Sequence, residues 1–321
     1  MKFTPMKFQA SLSAGGVSLM AFSYLQFAVP HGKGLIKLSD IPFASLTTGQ
    51  TALYLPLIGI MLAFTIINLS LIIIFQKSLL QWFFNKEDFN IFISNPLINI
   101  GIFVPIAALS MSVNVIWGPL AFFIPKLSSN IQALMLPSLI VFTFLLVMLF
   151  RFEFKVLKNW FSKPLEVNRL NFVWLLDVFA LGLVNLTGTG IASISTNREI
   201  ASIAAFASLF GLSIGFFLLV TKLAYLIYLQ IISSKLPEKP VLPAYFLVIP
   251  ITCLYGLSFY RIAMYLQNYF AFDVKVLSFF VIAFSYVFAI GWGIFTLYLL
   301  SNYFKREFYK SEFSPTQWGI V

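Results

Sequence analysis

The chain has 321 residues, of which 60 % are hydrophobic and 10 % charged, and its net charge is +10. That balance excludes an ordinary soluble domain and describes one integral membrane domain of packed helices. A single cysteine, Cys253, leaves no internal disulfide, and one Cys beside one His (His31) leaves no Cys/His metal cluster and no cofactor to expect. The basic excess points to the lipid bilayer rather than to nucleic acid, because most Lys and Arg flank apolar runs.

Lys2 and Lys7 precede the first apolar run, but no A-x-A cleavage pattern follows, so residues 8–29 are read as a retained first span. A loop with Pro30, Gly32 and Gly34 leads to a second span over 52–75. After a polar break with Lys77, Lys86, Glu87 and Asp88 comes a third span over 96–117, and a fourth follows over 132–150. Residues 151–169 are basic and aromatic and suit an amphipathic helix on the membrane surface. Spans five to eight are drawn at 170–194, 201–232, 241–266 and 276–303, the seventh broken by Pro250. Counting Lys and Arg on alternate sides assigns fifteen to the side of the termini and six, Arg261 among them, to the other. Under the positive-inside rule both termini are cytoplasmic, and an even number of spans agrees; the expected location is the plasma (inner) membrane.

The third span carries an unusual seam. Gly101, Pro105, Ala108 and Ser112 fall on one helical face, small and slightly polar, while Ile100, Phe103, Ile106 and Val113 fill the others. Pro105 placed mid-span would leave a carbonyl for a neighbour to satisfy. The other odd spans repeat the thin face: Gly15 and Ser18; Gly182, Asn185 and Thr189; Pro250, Thr252 and Gly256. Even spans are bulkier, although Gly211, Gly215, Gly291 and Gly293 interrupt them. Small residues at any one span let helices pack closely; their recurrence in every odd span predicts an inner ring of helical hairpins around a pore. All twelve of those thin-face residues are candidate pore-lining positions.

Charges within spans are few and costly, on the order of 2.5–3.5 kcal/mol each at a helix centre. Asp177 and Lys222 lie in spans five and six, and an antiparallel hairpin turning near Asn197 leaves them about six residues, or roughly 9 Å, apart in depth. Side chains lean toward their own helix's amino end, which tilts the two together into an ion pair. The competing arrangement has Lys222 snorkelling to the interface and Asp177 hydrated at a cytoplasmic mouth. Two further signals are weak: Thr187 to Gly190 lacks the lysine of a phosphate loop, and Asn68 and Asn185 head glycosylation patterns inside apolar spans.

The run from Pro96-Leu97 through IGIFVPIAALSM, the segment LPAYFLVIPITCLYG and the closing SPTQWGIV resemble the tellurite-resistance/dicarboxylate transporter family. That family includes the bacterial tellurite-resistance membrane protein and the plant slow anion channels. The resemblance implies ten helices as five hairpins, odd helices lining a pore, and a homotrimer with one pore per subunit. It also implies a pore-blocking phenylalanine on a ninth helix, whose start the SPTQWGIV motif would be. On this reading eight spans and the start of a ninth are present, and either the chain is a fragment or the channel is completed another way. The expected function is an anion channel or uniporter for small inorganic or organic anions, with a proton-coupled, malate-type dicarboxylate carrier as the alternative. A non-transporting scaffold or sensor is the alternative of another class. An enzyme is not expected, because the drawn spans hold no paired carboxylates and no His/Cys constellation.

Overall fold

The computed structural model describes residues 3–32, 34–162, 167–233, 235–310 and 313–320, and all regular structure among them is helical. The main helices are α1 Phe8–Ala28, α2 Thr48–Phe84, α3 Lys86–Ser94, α4 Phe103–Val115, α5 Met135–Ser162, α6 Leu176–Ile194, α7 Arg198–Ser233, α8 Val248–Phe270 and α9 Lys275–Leu299. Seven helical stretches, those built around α2 and α4–α9, are long and apolar enough to cross a bilayer. The seven do not include α1, which carries two glutamines, four serines and two glycines. It nevertheless has 21 residues, about 31 Å of helix, the thickness of a hydrocarbon core. Hydrogen bonds lay it antiparallel along α2, since partners on α2 descend as those on α1 rise. Ser11 Oγ donates to Asn68 O at 3.1 Å, and one face further on Ser18 Oγ donates to Met61 O at 3.1 Å. Gly15 lies between those two contacts, where an added Cβ would run into Met111 and Asn68.

The crossings sort into two layers by burial. The most apolar stretch of α6 is 89 % buried and that of α4 is 83 %, against 17 % for α2 and 11 % for α9. The stretch holding α8 is also more than half buried, whereas α5 and α7 are mostly open. Alternate crossings therefore form the core, and the bulky helices between them present Ile, Leu and Phe outward. Without a hydrophobic drive between helices in lipid, close van der Waals packing must hold the core. The glycines supply it: Gly182 abuts Tyr255 and Leu254, Gly188 abuts Phe142 and Ser208, Gly215 abuts Tyr255, and Gly256 abuts Ser285.

Several boundaries differ from the sequence expectation, each for a local reason. Nothing in residues 76–84 breaks a helix, so α2 runs on to Phe84, where Asn85 caps α3 by accepting from Asp88 N at 3.3 Å. No separate surface helix follows the fourth span. Instead α5 continues to Ser162, because Leu145, Leu149, Phe152 and Val156 extend its buried stripe past Arg151. The part of the expected surface helix at 163–166 lies outside the described residues. The third span is not one regular helix: a 3-10 turn over Asn99–Ile102 precedes α4, and a π turn over Ile116–Leu120 follows it.

Both prolines read as mid-span breaks stand elsewhere. Pro105 is the third residue of α4 and Pro250 the third of α8. First-turn N–H groups have no α-helical partner, so proline there forfeits no α-helical bond and breaks no helix. The 3-10 segment Lys239–Leu247 leads into α8, and the turn Pro315–Ile320 docks near it and against α1. Ser314 Oγ donates to Pro240 O at 3.0 Å, and Ser13 Oγ on α1 donates to Trp318 O at 2.8 Å.

Candidate functional site

The thin-face residues of the core helices are buried or half-buried, none among lipid-facing side chains. Most are engaged in packing. Gly101 faces Met6 and Phe92. Ser112 Oγ donates to Ala108 O at 3.0 Å and lies 3.1 Å from Asn68 Oδ1, so Asn68 of α2 ties both α1 and α4. Ser18 shares a hydrogen bond of 2.7 Å with Thr65. Asn185 Nδ2, Thr189 Oγ1 and Thr252 Oγ1 each bond a carbonyl of their own helix, a common resting state of such residues in apolar surroundings. Asn185 Oδ1 is the exception, buried against Gly211 without a hydrogen-bond donor. A polar knot unnoticed in the sequence joins α4 to α6: Ser110 Oγ lies 2.7 Å from Thr187 Oγ1, which accepts from Asn114 Nδ2 at 2.6 Å.

At the opposite extreme of polarity, Lys222 Nζ of α7 bonds Asp177 Oδ2 of α6. Both side chains are sealed, at 4 % and 0 % exposure. Asp177 stands in the first turn of α6, where its Oδ1 accepts from Val178 N at 2.7 Å and its charge meets the positive end of the helix dipole. Lys222 Nζ also donates to Trp174 O at 3.2 Å and lies 4.7 Å from the ring centres of both Trp160 and Trp174. The ammonium thus has a carboxylate, a carbonyl and two aromatic faces in place of water.

A third ionisable group joins this pair. Glu153 of α5 is 1 % exposed, neither of its carboxyl oxygens has a hydrogen-bond partner, and its charged neighbours are Asp177 and Lys222. The expectation of no paired carboxylates within the spans is therefore overturned. A fourth span that stops at residue 150 puts Glu153 in the surface segment 151–169. The signal was present, since Glu153 stands four residues after Leu149 on the buried stripe of α5.

Arg261 was also missed, having been counted with the outer loops. It lies inside α8, nine residues before the helix ends at Phe270. Its Nη1 donates to Leu186 O of α6 at 2.9 Å, and a Cβ added at Gly190 would meet both Arg261 Nη1 and the Trp117 ring. The guanidinium is thereby fixed where α4, α6 and α8 come together. Among the described residues no carboxylate pairs with it. A guanidinium has five N–H donors, so one carbonyl leaves most of its donors for a ligand or water.

The family model described as SLAC1, voltage-dependent anion channel, matches residues 2–321. No curated protein and no solved structure matches.

Proposed function

The chain belongs to the SLAC1 family of voltage-dependent anion channels, a family of multi-pass membrane channels and transporters, and we propose that it passes small anions by a path along the inner helices α1, α4, α6 and α8. The observation that carries this reading is Arg261, a cation without a carboxylate partner on the most buried layer of the bundle. A fixed positive charge in a low-dielectric wall raises the local concentration of anions. A single fixed charge holds them weakly, which suits permeation better than capture.

The thin-face positions Gly15, Ser18, Gly101, Pro105, Ala108, Ser112, Gly182, Asn185, Thr189, Pro250, Thr252 and Gly256 serve this path by letting the inner helices approach. Among them Pro250 and Thr252 are half-buried on the same helix as Arg261. Channel or uniporter behaviour is preferred over a proton-coupled dicarboxylate carrier. Anion flux into proteoliposomes, with and without a proton gradient, tests it. Flux that runs only down the anion's own gradient, with no uphill accumulation when a proton gradient is imposed, supports the proposal. Uphill accumulation driven by protons replaces it with the carrier, and absence of flux for chloride, nitrate and malate alike rejects both.

A further inference from the structure

We propose that Glu153, Asp177 and Lys222 form a binding site for one exchangeable proton at the junction of α5, α6 and α7, and that its release lowers anion passage. The first half rests on the burial and unpartnered oxygens of Glu153 beside an ion pair that is already complete, and the second on the anion path proposed above.

A sealed, ionised carboxylate needs donors or a counter-charge of its own, since it can only accept. Glu153 has no such donor, for no N–H or hydroxyl reaches either of its oxygens. Asp177 is meanwhile occupied on both oxygens, by Lys222 and by Val178 N. The charge count agrees. With both acids ionised, the cluster holds two negative charges against one positive, all three groups sealed from water. With one proton it is neutral. The remaining titratable group facing the cluster is the Tyr255 hydroxyl of α8, which donates to Val178 O at 3.3 Å. No further cation faces the three among the described residues.

Release breaks the carboxyl O–H bond, sends the proton to water and leaves a net charge of −1 at the first turn of α6. That helix is also the one whose Leu186 carbonyl holds Arg261. Asp177 and Leu186 are nine residues apart, about 13 Å along a helix. A negative charge at that distance in a low-dielectric medium opposes anions on the same helix.

The test uses the full-length protein in lipid, with infrared difference spectra and chloride flux recorded across a pH series. Wild type is expected to show the carbonyl stretch of a protonated carboxylic acid, shifting in deuterium oxide and fading as pH rises. Chloride flux is expected to fall by about tenfold over the same range. Glu153→Gln, a neutral isostere, is expected to lose the band and hold flux at its acidic level at every pH. Glu153→Met, apolar and of similar volume, repeats the measurement should the glutamine disturb folding. Absence of the band in wild type, or its persistence in both variants, overturns the proton site. A band with a pH-invariant wild-type flux overturns the control of passage. Loss of all wild-type flux with the band intact strikes the anion path and leaves the proton site standing.

Discussion

Lys222 and Arg261 are both cations inside the bundle, and their surroundings are opposite. Lys222 is enclosed by a carboxylate, a carbonyl and two tryptophan faces. Arg261 bonds one carbonyl and, with Trp117, borders Gly190, and no carboxylate pairs with it among the described residues. Burial is expensive for either charge, and only the lysine is compensated within the protein. The comparison teaches that compensation separates a charge that holds helices together from one left to meet something else. Lys222 is the clasp of α6 to α7, and Arg261 is left without a counter-charge among the described residues.

The largest effect is expected at the clasp. Lys222→Met strands Asp177 and Glu153 without a counter-charge, and breaking a buried pair from one side costs about 3–5 kcal/mol. The variant should lose most of its folded yield in detergent, read by fluorescence-detected size exclusion. A Lys222→Met, Asp177→Leu double variant should recover much of the loss. Wild-type melting for the single variant would show that Lys222 is not the clasp. Next in size is Gly188→Ala, whose methyl would meet Phe142 and Ser208. Overpacking of this kind costs about 1–3 kcal/mol, a clear drop in melting temperature, whereas Gly16→Ala, with nothing nearby, should be close to neutral.

How much of this was legible in the sequence depends on which residues decide it. The alternation of thin and bulky crossings could be read from Gly101, Ala108 and Gly182, because burying a small face is the only way to pack helices tightly in lipid. The meeting of Asp177 with Lys222 followed from hairpin depth and the lean of side chains. Glu153 did not, since a hydropathy boundary at residue 150 treats the first charged residue as the end of a span. Helices end where breaking residues intervene, and residues 151–162 hold no glycine or proline. Arg261 was hidden by the opposite habit, in which a charge near the end of a span is moved to the nearest loop. Pro105 and Pro250 were misplaced because sequence alone does not mark where a 3-10 lead-in gives way to α-helix.

The exposed side of the comparison gives a smaller effect and a sharper one. Arg261→Gln keeps a donor for Leu186 O and removes the charge, so the melting temperature should move little while anion flux falls by about tenfold, near 1.4 kcal/mol. Arg261→Lys should restore most of the flux, because an ammonium supplies the same charge. Equal flux in all three proteins would make Arg261 another packing residue and erase the contrast with Lys222.

Smallest of all should be the prolines. A proline in a helix interior costs about 3 kcal/mol relative to alanine, whereas in the first turn the penalty largely vanishes. Pro105→Ala and Pro250→Ala are therefore expected to shift stability by less than about 0.5 kcal/mol, measured as thermal melting in one detergent. Pro56, nine residues into α2, is the internal control, because it does stand inside a helix. Stabilisation by Pro250→Ala as large as that by Pro56→Ala would mean that Pro250 interrupts its crossing. Backbone groups freed beside Arg261 would then join the guanidinium in facing the anion, and the path would no longer rest on one fixed charge.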